Sequence, residues 1–226
     1  MKRIWVDDTY KRKKHFEWFN SFENPSYSIN VRLDVTNIVQ HSKMQNRSFF
    51  IDFLYVVTEA LHSIPEMRMR IKDDEIILYD TINPSYTIMT DEGVFDTCRH
   101  VMSHDYMEFY QRAETAIEYG KHNYTSNGEF NNTDIVDDFY ISSLPWIDTL
   151  SMTNPMPTGD KNNLSIPRIL WSKYVQNNNK YELTFNITVN HALVDGKHIS
   201  DAVLAIQKLI ENVNPYSDVI EGDIIL

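Results

Sequence analysis

A strand, a short loop and a helix follow one another near the C-terminus, and this order constrains the fold more than any other feature. Apolar and polar residues alternate over 183–190, the pattern of a strand with one apolar face. Apolar residues then recur at helical spacing, at Ile199, Ala202, Val203, Ile206 and Leu209. The loop between them reads Asn190-His191-Ala192-Leu193-Val194-Asp195-Gly196. It places an imidazole at the end of a strand, where a rigid scaffold can aim a side chain into a cleft.

His191 has two interpretations. It is either a catalytic imidazole or a structural histidine that is hydrogen-bonded inside a turn. We expect Gly196 to allow a positive φ in this turn, a conformation that most other residues avoid. A single His-x-x-x-Asp-Gly match does not distinguish the two interpretations, because so short a motif also arises by chance.

Strands and helices are predicted along the rest of the chain. Helices are expected over 15–19, over 49–62 after Ser48, and over 105–119 after Ser103. Strands are expected over 28–35, 85–90 and 166–175, and a further strand is expected to begin at 139–142 and to end at Pro145-Trp146. A hairpin joins 67–71 to 75–79 through the polar turn at Lys72-Asp73-Asp74. Residues 121–134 are rich in Asn, Gly, Ser and Thr and are expected to form a surface loop.

Length and composition predict one globular domain over residues 1–226. The 226 residues are 42% hydrophobic, enough for one sizeable core, and no linker composition interrupts them. A net charge of −11 disfavours a nucleic-acid or anionic membrane partner. Cys98 is the only cysteine, so we expect no disulfide framework and a cytoplasmic location. The first twenty residues are charged and aromatic, unlike a signal peptide or a membrane span.

We expect no metal site. His100 and His104 have a spacing that could hold zinc on one helix face, but the predicted helix cap at Ser103 lies between them and a third ligand is lacking. The acidic run Asp73-Asp74-Glu75 is expected to be a solvated hairpin tip, because adjacent carboxylates on a strand cannot all face one ion.

The histidine loop and three further segments resemble the chloramphenicol acetyltransferase family. The segments are YKRKKHFEWF at 10–19, MRMRIKDDE at 67–75 and ISSLPW at 141–146, and they occur in the family order. The resemblance implies an α/β fold of the α+β type, with helices packed on a mixed β-sheet. It also implies a homotrimer with its active sites at the subunit boundaries. The same His motif occurs in the lipoyl-dependent acyltransferase cores of 2-oxo acid dehydrogenase complexes.

The implied reaction is direct transfer of an acetyl group from acetyl-CoA, a co-substrate, to a hydroxyl of chloramphenicol, with no permanently bound cofactor. His191 would be the general base, and Ser142 would donate to the oxyanion. The resemblance pairs Arg12 with Asp195 as a support for the loop that Gly196 ends. A free histidine titrates near 6.5, so a neutral imidazole is available at physiological pH.

The resemblance also assigns binding residues. Contacts to coenzyme A are implied for Phe50, Trp146, Lys173 and Tyr174. The acceptor pocket is expected to include Trp18, Phe19, Glu23, Arg168 and Leu170.

Several positions depart from the family. Asn190 replaces a second histidine, Ser48 replaces a lysine, and Glu23 and Arg168 put charges where the family has apolar residues. A charge near an apolar ring costs binding free energy unless it is paired or faces solvent. Three functions therefore stay open: acetylation of chloramphenicol, acetylation of another hydroxylated small molecule, or a trimeric homologue that has lost activity.

Overall fold

The structure is a computed structural model, and it describes residues 1–125 and 136–222. The described strands are β1 (Lys2–Ile4), β2 (Ser26–Asp34), β3 (Met69–Lys72), β4 (Glu75–Leu78), β5 (Asn83–Met89), β6 (Phe95–Arg99), β7 (Asp138–Leu144), β8 (Arg168–Ser172), β9 (Val175–Asn177) and β10 (Lys180–Asn190). The helices are α1 (Lys13–Asn20), α2 (Thr36–Met44), α3 (Phe49–His62), α4 (Tyr106–His122), α5 (Lys161–Leu164) and α6 (Gly196–Asn212). Most of the loop predicted over 121–134 lies outside the described residues.

The main sheet is mixed, as predicted. Its strand order is β2-β10-β8-β7-β5-β6, and β9 forms a further pair with β10. β8 runs parallel to β7 and β7 parallel to β5, whereas the pairs β2–β10, β10–β8 and β5–β6 are antiparallel. A smaller antiparallel sheet has the order β1-β4-β3 and contains the predicted hairpin.

Helices cover one face of the main sheet, the side to which the apolar residues of its long central strand β10 point. In β10 these residues are Leu183, Phe185, Ile187 and Val189, and all are buried. Phe53 of α3 packs edge-on against Trp171 of β8 and close to Phe185, with ring centroids 5.0 and 6.4 Å away. Burial of this apolar surface is the main stabilising contribution to the fold.

The opposite face of β10 is polar, yet it is also buried. Asn186 donates a hydrogen bond to the carbonyl of Met152, 2.9 Å away. The Nδ2 atom of Asn154 donates to Asn186 Oδ1 at 2.8 Å and to Thr188 Oγ1 at 2.9 Å. The segment that follows β7 therefore crosses this face and satisfies its polar groups, which would otherwise be costly to bury.

Several predictions about the elements were wrong or incomplete: the strand expected over 166–175 ends at Ser172, and β1, β9 and α5 were not predicted. α2 was missed because Thr36 and Asn37 are poor helix formers. β6 was missed because it is a polar, partly exposed strand at the edge of the sheet. Asp105 rather than Ser103 caps α4, since an Asp105 side-chain oxygen accepts from the backbone N–H of Glu108 at 2.8 Å.

The two histidines considered as zinc ligands have separate partners. His100 Nδ1 lies 3.1 Å from the Tyr86 hydroxyl, and His104 Nδ1 lies 2.7 Å from Glu59 Oε1. Across residues 1–125 and 136–222, no three His, Cys, Asp or Glu side chains are grouped so that they could hold a metal ion. None of the helices in those two ranges combines the length and the apolar composition that crossing a bilayer requires.

Candidate active site

The His191 side chain lies at the end of β10, held on one side and open on the other. Its ring stacks on Phe19 of α1, with centroids 3.9 Å apart and planes at 11°. Tyr27 of β2 contacts the same ring, with centroids 4.4 Å apart. The backbone N–H of His191 donates to the carbonyl of Pro25 at 2.9 Å. With 33% of the side chain exposed, the imidazole is positioned yet accessible.

Arg12 fixes the loop that carries this imidazole. Its guanidinium donates to both carboxylate oxygens of Asp195, at 3.0 and 2.5 Å. The same group donates to the carbonyls of Ala192 and Leu193 at 3.0 and 2.6 Å, and to that of His191 at 3.3 Å. A planar guanidinium can satisfy all these acceptors at once, which an ammonium cannot. The pairing that the resemblance implies is therefore present.

Asp195 stabilises the loop through its ion pair with Arg12 and makes no hydrogen bond to the His191 imidazole. Its Oδ1 atom lies 3.6 Å from His191 Nδ1, beyond hydrogen-bond distance. Partial burial works to raise the pKa of Asp195, but the hydrogen bonds and charge of Arg12 outweigh it and lower that pKa. The carboxyl group therefore stays ionised at neutral pH and keeps its ion pair with Arg12.

Two residues of this region were not singled out from the sequence. The Tyr27 hydroxyl donates to the carbonyl of Val194 at 3.3 Å, and the backbone N–H of Asp195 donates to His198 Nδ1 at 3.0 Å. Both contacts help to hold the loop. His198 lies three residues beyond Asp195, so the capping pattern could have revealed it, whereas the Tyr27 contact spans 167 residues and leaves no local signal.

The expectation that Gly196 adopts a positive φ was wrong. The described glycines with positive φ are Gly93 and Gly159. Gly196 is the first residue of α6, and a Cβ atom built there would meet nothing within 4 Å. Neither backbone conformation nor close approach requires glycine at this position in the chain.

A cavity of about 1070 Å³ adjoins β5, β7 and β8, and Ser142 lines it. The Ser142 hydroxyl lies 2.7 Å from the hydroxyl of Thr87 on β5. Leu170 is the direct neighbour of Ser142 on β8 and lines the same cavity. When Thr87 donates this hydrogen bond, the Ser142 proton is free to point into the cavity. Thr87 could not be predicted as a partner of Ser142, because the pairing of β5 with β7 is not visible in the sequence.

The four residues predicted to contact coenzyme A all line this cavity: Phe50, Trp146, Lys173 and Tyr174. Lys173 is exposed, and Trp146 is 63% exposed. Phe50 instead packs partly into the core, with its ring 5.7 Å from Tyr86. An exposed lysine such as Lys173 can meet a phosphate, and an exposed aromatic ring such as that of Trp146 can stack on a base.

The five predicted acceptor residues fall into two groups. Arg168 and Leu170 line the cavity. Phe19 stacks on His191, whereas Trp18 of α1 and Glu23, three residues after the end of α1, are exposed. None of the latter three lines the described cavity.

His191 and Ser142 are likewise far apart within one chain. Ser142 is level with Leu170 of β8, and Leu170 with Asn186 of β10. His191 follows Asn186 by five residues, and two strand spacings lie between β7 and β10, which together place the two Cα atoms about 20 Å apart. His191 is not among the described residues that line the cavity. One chain therefore carries the two groups without bringing them together.

Comparisons with known proteins agree on a family. The chloramphenicol acetyltransferase family profile matches residues 2–207. A chloramphenicol acetyltransferase of Bacillus pumilus is 30% identical over 214 residues, covering 93% of this chain and 94% of the relative. A solved chloramphenicol acetyltransferase superposes with a TM-score of 0.81 at 27% identity, covering 92% of this chain and 99% of that one.

A more distant solved structure shares the fold. It is described as a probable dihydrolipoamide acetyltransferase from Listeria monocytogenes, and it matches with a TM-score of 0.65 at 15% identity over 97% of this chain and 98% of that one. The fold class expected from the sequence is thereby confirmed. With most of its length matched by the family profile and by these relatives, the chain belongs to the chloramphenicol acetyltransferase family and is an acyltransferase.

Proposed function

We propose that this enzyme transfers the acetyl group of acetyl-CoA to a hydroxyl of chloramphenicol, with neutral His191 as general base. The observation that carries the proposal is the His191 imidazole itself, partly exposed on a loop whose carbonyls are held by Arg12 and Tyr27. Such fixed positioning suits a group that must meet a substrate hydroxyl at hydrogen-bond distance.

In the proposed reaction, His191 removes the hydroxyl proton while the acceptor oxygen attacks the thioester carbonyl. The carbon–sulfur bond of the tetrahedral intermediate then breaks, and the proton passes from His191 to the sulfur of coenzyme A as it leaves. General-base assistance of this kind is worth about 10²–10⁴-fold in rate. The Ser142 hydroxyl would donate to the oxyanion, an interaction whose loss costs about 3 kcal/mol in comparable enzymes. Transfer is direct, so no acyl-enzyme forms on the serine.

The proposed assembly is a homotrimer in which His191 of one chain faces the Ser142 cavity of its neighbour. The separation of about 20 Å between the two groups in one chain supports this arrangement. Trp18 and Phe22 are exposed beside the His191 loop, Trp146 is exposed at the cavity, and Ile147 is exposed next to it in the sequence. Exposed apolar side chains of this size are typical of surfaces that pack against a partner. We place the single acetyltransferase domain in the cytoplasm.

A second candidate is the same transfer to a different hydroxylated small molecule. The buried guanidinium of Arg168 in the cavity favours it, because chloramphenicol carries no negative charge for this cation to meet. A catalytically inactive trimeric homologue is the third possibility. It is weakened by the joint presence of His191, Ser142, Asp195 and Arg12 in the geometry described above.

The test is the release of free thiol from acetyl-CoA, measured with and without chloramphenicol. We expect chloramphenicol-dependent release by the wild-type protein and loss of that release in His191→Ala. Release with other hydroxylated acceptors but not with chloramphenicol would establish the second candidate. No release with any acceptor would leave the inactive homologue, and full activity in His191→Ala would exclude His191 as the base.

A further inference from the structure

The cavity is lined by cations and by no described acidic residue. Among its described lining residues, the charged side chains are Lys121, Arg168 and Lys173, and none is Asp or Glu. The chain as a whole has the opposite charge balance, with 32 acidic and 21 basic residues and a net charge of −11. A cleft lined by one sign of charge concentrates ligands of the other sign. Its ligands are therefore expected to be anionic.

Arg168 and Lys173 both line this cavity and lie on opposite sides of the level of Ser142 along β8. Arg168, Leu170 and Ser172 alternate with core residues along β8, so they share one face. Ser142 is level with Leu170. Arg168 is two residues to one side of this level and Lys173 three to the other, which puts them about 7 and 10 Å from it along the strand. With the thioester beside Ser142 and coenzyme A running toward Lys173, Arg168 is left beside the acceptor.

The charge of Arg168 is not balanced within the described structure. Its side chain donates to Asn163 Oδ1, and to the carbonyls of Asn163 and Ile166 at 3.3 and 3.4 Å. It lies over the ring of Tyr140, 5.2 Å from the centroid. No described carboxylate comes within 4.0 Å of it, although only 9% of the residue is exposed. Asp160 influences Arg168 electrostatically but is engaged in capping α5.

Arg70 is a second buried arginine, and its role is structural, in contrast to that of Arg168. It is fully buried, and its guanidinium donates to four backbone carbonyls, those of Met67, Met69, Val136 and Asp138. Arg70 does not line the cavity. Arg168, in contrast, hydrogen-bonds among the described residues only to residues 163 and 166, which lie in the short segment just before β8. The other N–H groups of its guanidinium are available to a ligand.

We propose that Arg168 is a specificity-determining residue and that the preferred acceptor is a hydroxylated molecule with a carboxylate. This inference rests on the proposed acetyl transfer and names its substrate class. A carboxylate matches the planar fork of a guanidinium and can accept two parallel hydrogen bonds. It would lie on the order of 7 Å from the acetylated hydroxyl, given the offset of Arg168 from Ser142 along β8.

Matched acceptors test the inference on the wild-type protein alone. The chloramphenicol skeleton is prepared with a carboxylate in place of the aryl nitro group, or at the end of the N-acyl group, and each acid is compared with its methyl ester. We expect one of the acids to exceed its ester about 10- to 100-fold in kcat/KM, the range that a charge-assisted hydrogen bond supplies. Esters that match or exceed both acids would overturn the inference.

Variants then assign the preference to Arg168. Arg168→Met should remove the preference for the acid, and Arg168→Lys should retain part of it. Arg3→Met is the control, since Arg3 is an exposed surface residue paired with Glu75. Retention of the acid preference in Arg168→Met contradicts the assignment. A raised KM for acetyl-CoA without a change in acceptor preference would place Arg168 on coenzyme A and likewise contradict it.

The two proposals fail in different ways. Thiol release that favours the esters overturns the carboxylate inference and leaves acetyl transfer intact. Absence of thiol release with every acceptor overturns the proposed function, and the inference falls with it. Because Arg168 also holds Asn163, the folding of each variant is checked by thermal unfolding, and the wild-type comparison of acid and ester does not depend on those variants.

Discussion

Arg12 and Asp195, 183 residues apart in the chain, form a bidentate ion pair that closes the histidine loop onto α1. Because the same guanidinium also holds three loop carbonyls, it couples the ion pair to the backbone that positions His191. Loss of Arg12 would leave a carboxylate and several carbonyls without their partners.

We expect Arg12→Met and Asp195→Asn each to lower the free energy of unfolding by about 2–4 kcal/mol. The double variant should be destabilised by about 1–3 kcal/mol less than the sum of the two single variants, because each single variant already loses the Arg12–Asp195 ion pair. Urea unfolding of the four proteins measures this coupling. Arg3→Met, at an exposed pair with Glu75, should cost less than about 1 kcal/mol. Strict additivity would contradict the coupling.

The separation of His191 from Ser142 predicts complementation between subunits. His191→Ala and Ser142→Ala should each be nearly inactive alone. When they are unfolded, mixed in equal amounts and refolded, about a quarter of the sites should receive an intact His191 from one chain and an intact Ser142 from another. Thiol release that recovers toward this fraction is the expected result. A mixture no more active than its components would mean that each site is built by one chain.

Thr87 is expected to orient the Ser142 hydroxyl, which lies 2.7 Å from its own. Thr87→Val keeps the shape but removes the hydrogen bond, so we expect kcat to fall about tenfold with little change in KM. Thr87→Ser restores a hydroxyl and should recover most of the rate. Steady-state kinetics of the three proteins decides the matter. Equal rates in the valine and serine variants would show that the bond does not assist Ser142.

His62 is buried, and we expect its protonation to destabilise the protein in acid. Its Nδ1–H donates to the carbonyl of Thr58 at 2.8 Å, and its Nε2 accepts from the N–H of Ile82 at 3.0 Å, so both ring nitrogens are used by the neutral form. Burial lowers the pKa of His62 to about 4 from 6.5, and the nearby cations Arg68 and Arg70 contribute in the same direction.

Between pH 6.5 and 4 the unfolded chain thus binds a proton at this residue that the folded chain does not. Stability is full above about pH 6.5 and falls as pH drops toward 4, by about 3 kcal/mol for this one group. Unfolding free energies measured over this range should fall less steeply in His62→Gln. His100, whose pKa burial also lowers to about 4, should keep part of the slope in that variant. An unchanged slope in His62→Gln would assign the acid sensitivity elsewhere.

Gly196 offers a test against the motif itself. Because its φ is not positive and a Cβ would meet no atom, Gly196→Ala should leave activity unchanged and raise stability by up to about 1 kcal/mol. Thermal unfolding and thiol release check both parts. A large loss of either would mean that an element outside this chain, such as a neighbouring subunit, approaches the glycine.

The local pattern of apolar and polar residues was sufficient to predict the helices and strands around the site. The predicted helix over 49–62 has the bounds observed for α3, because most of its residues are apolar. Ser48 is at the N-cap position, but its side chain makes no capping hydrogen bond. The strand before His191 and the helix after Gly196 were also predicted, since packing one face against the hydrophobic core imposes an apolar period of two or of 3.6 residues. α2 and β6 were missed because tertiary packing, rather than residue propensity, stabilises them.

The sequence by itself determined that an imidazole ends a strand and that an arginine, a serine and an aspartate accompany it in a recognisable order. Only the tertiary structure decided which of these groups meet. It joins Arg12 to Asp195 and Thr87 to Ser142, and it keeps His191 away from the cavity that holds Ser142 and Arg168. The physical reason is that hydrophobic periodicity reports which side of an element packs on the hydrophobic core, whereas strand order and register arise from the packing of the whole chain.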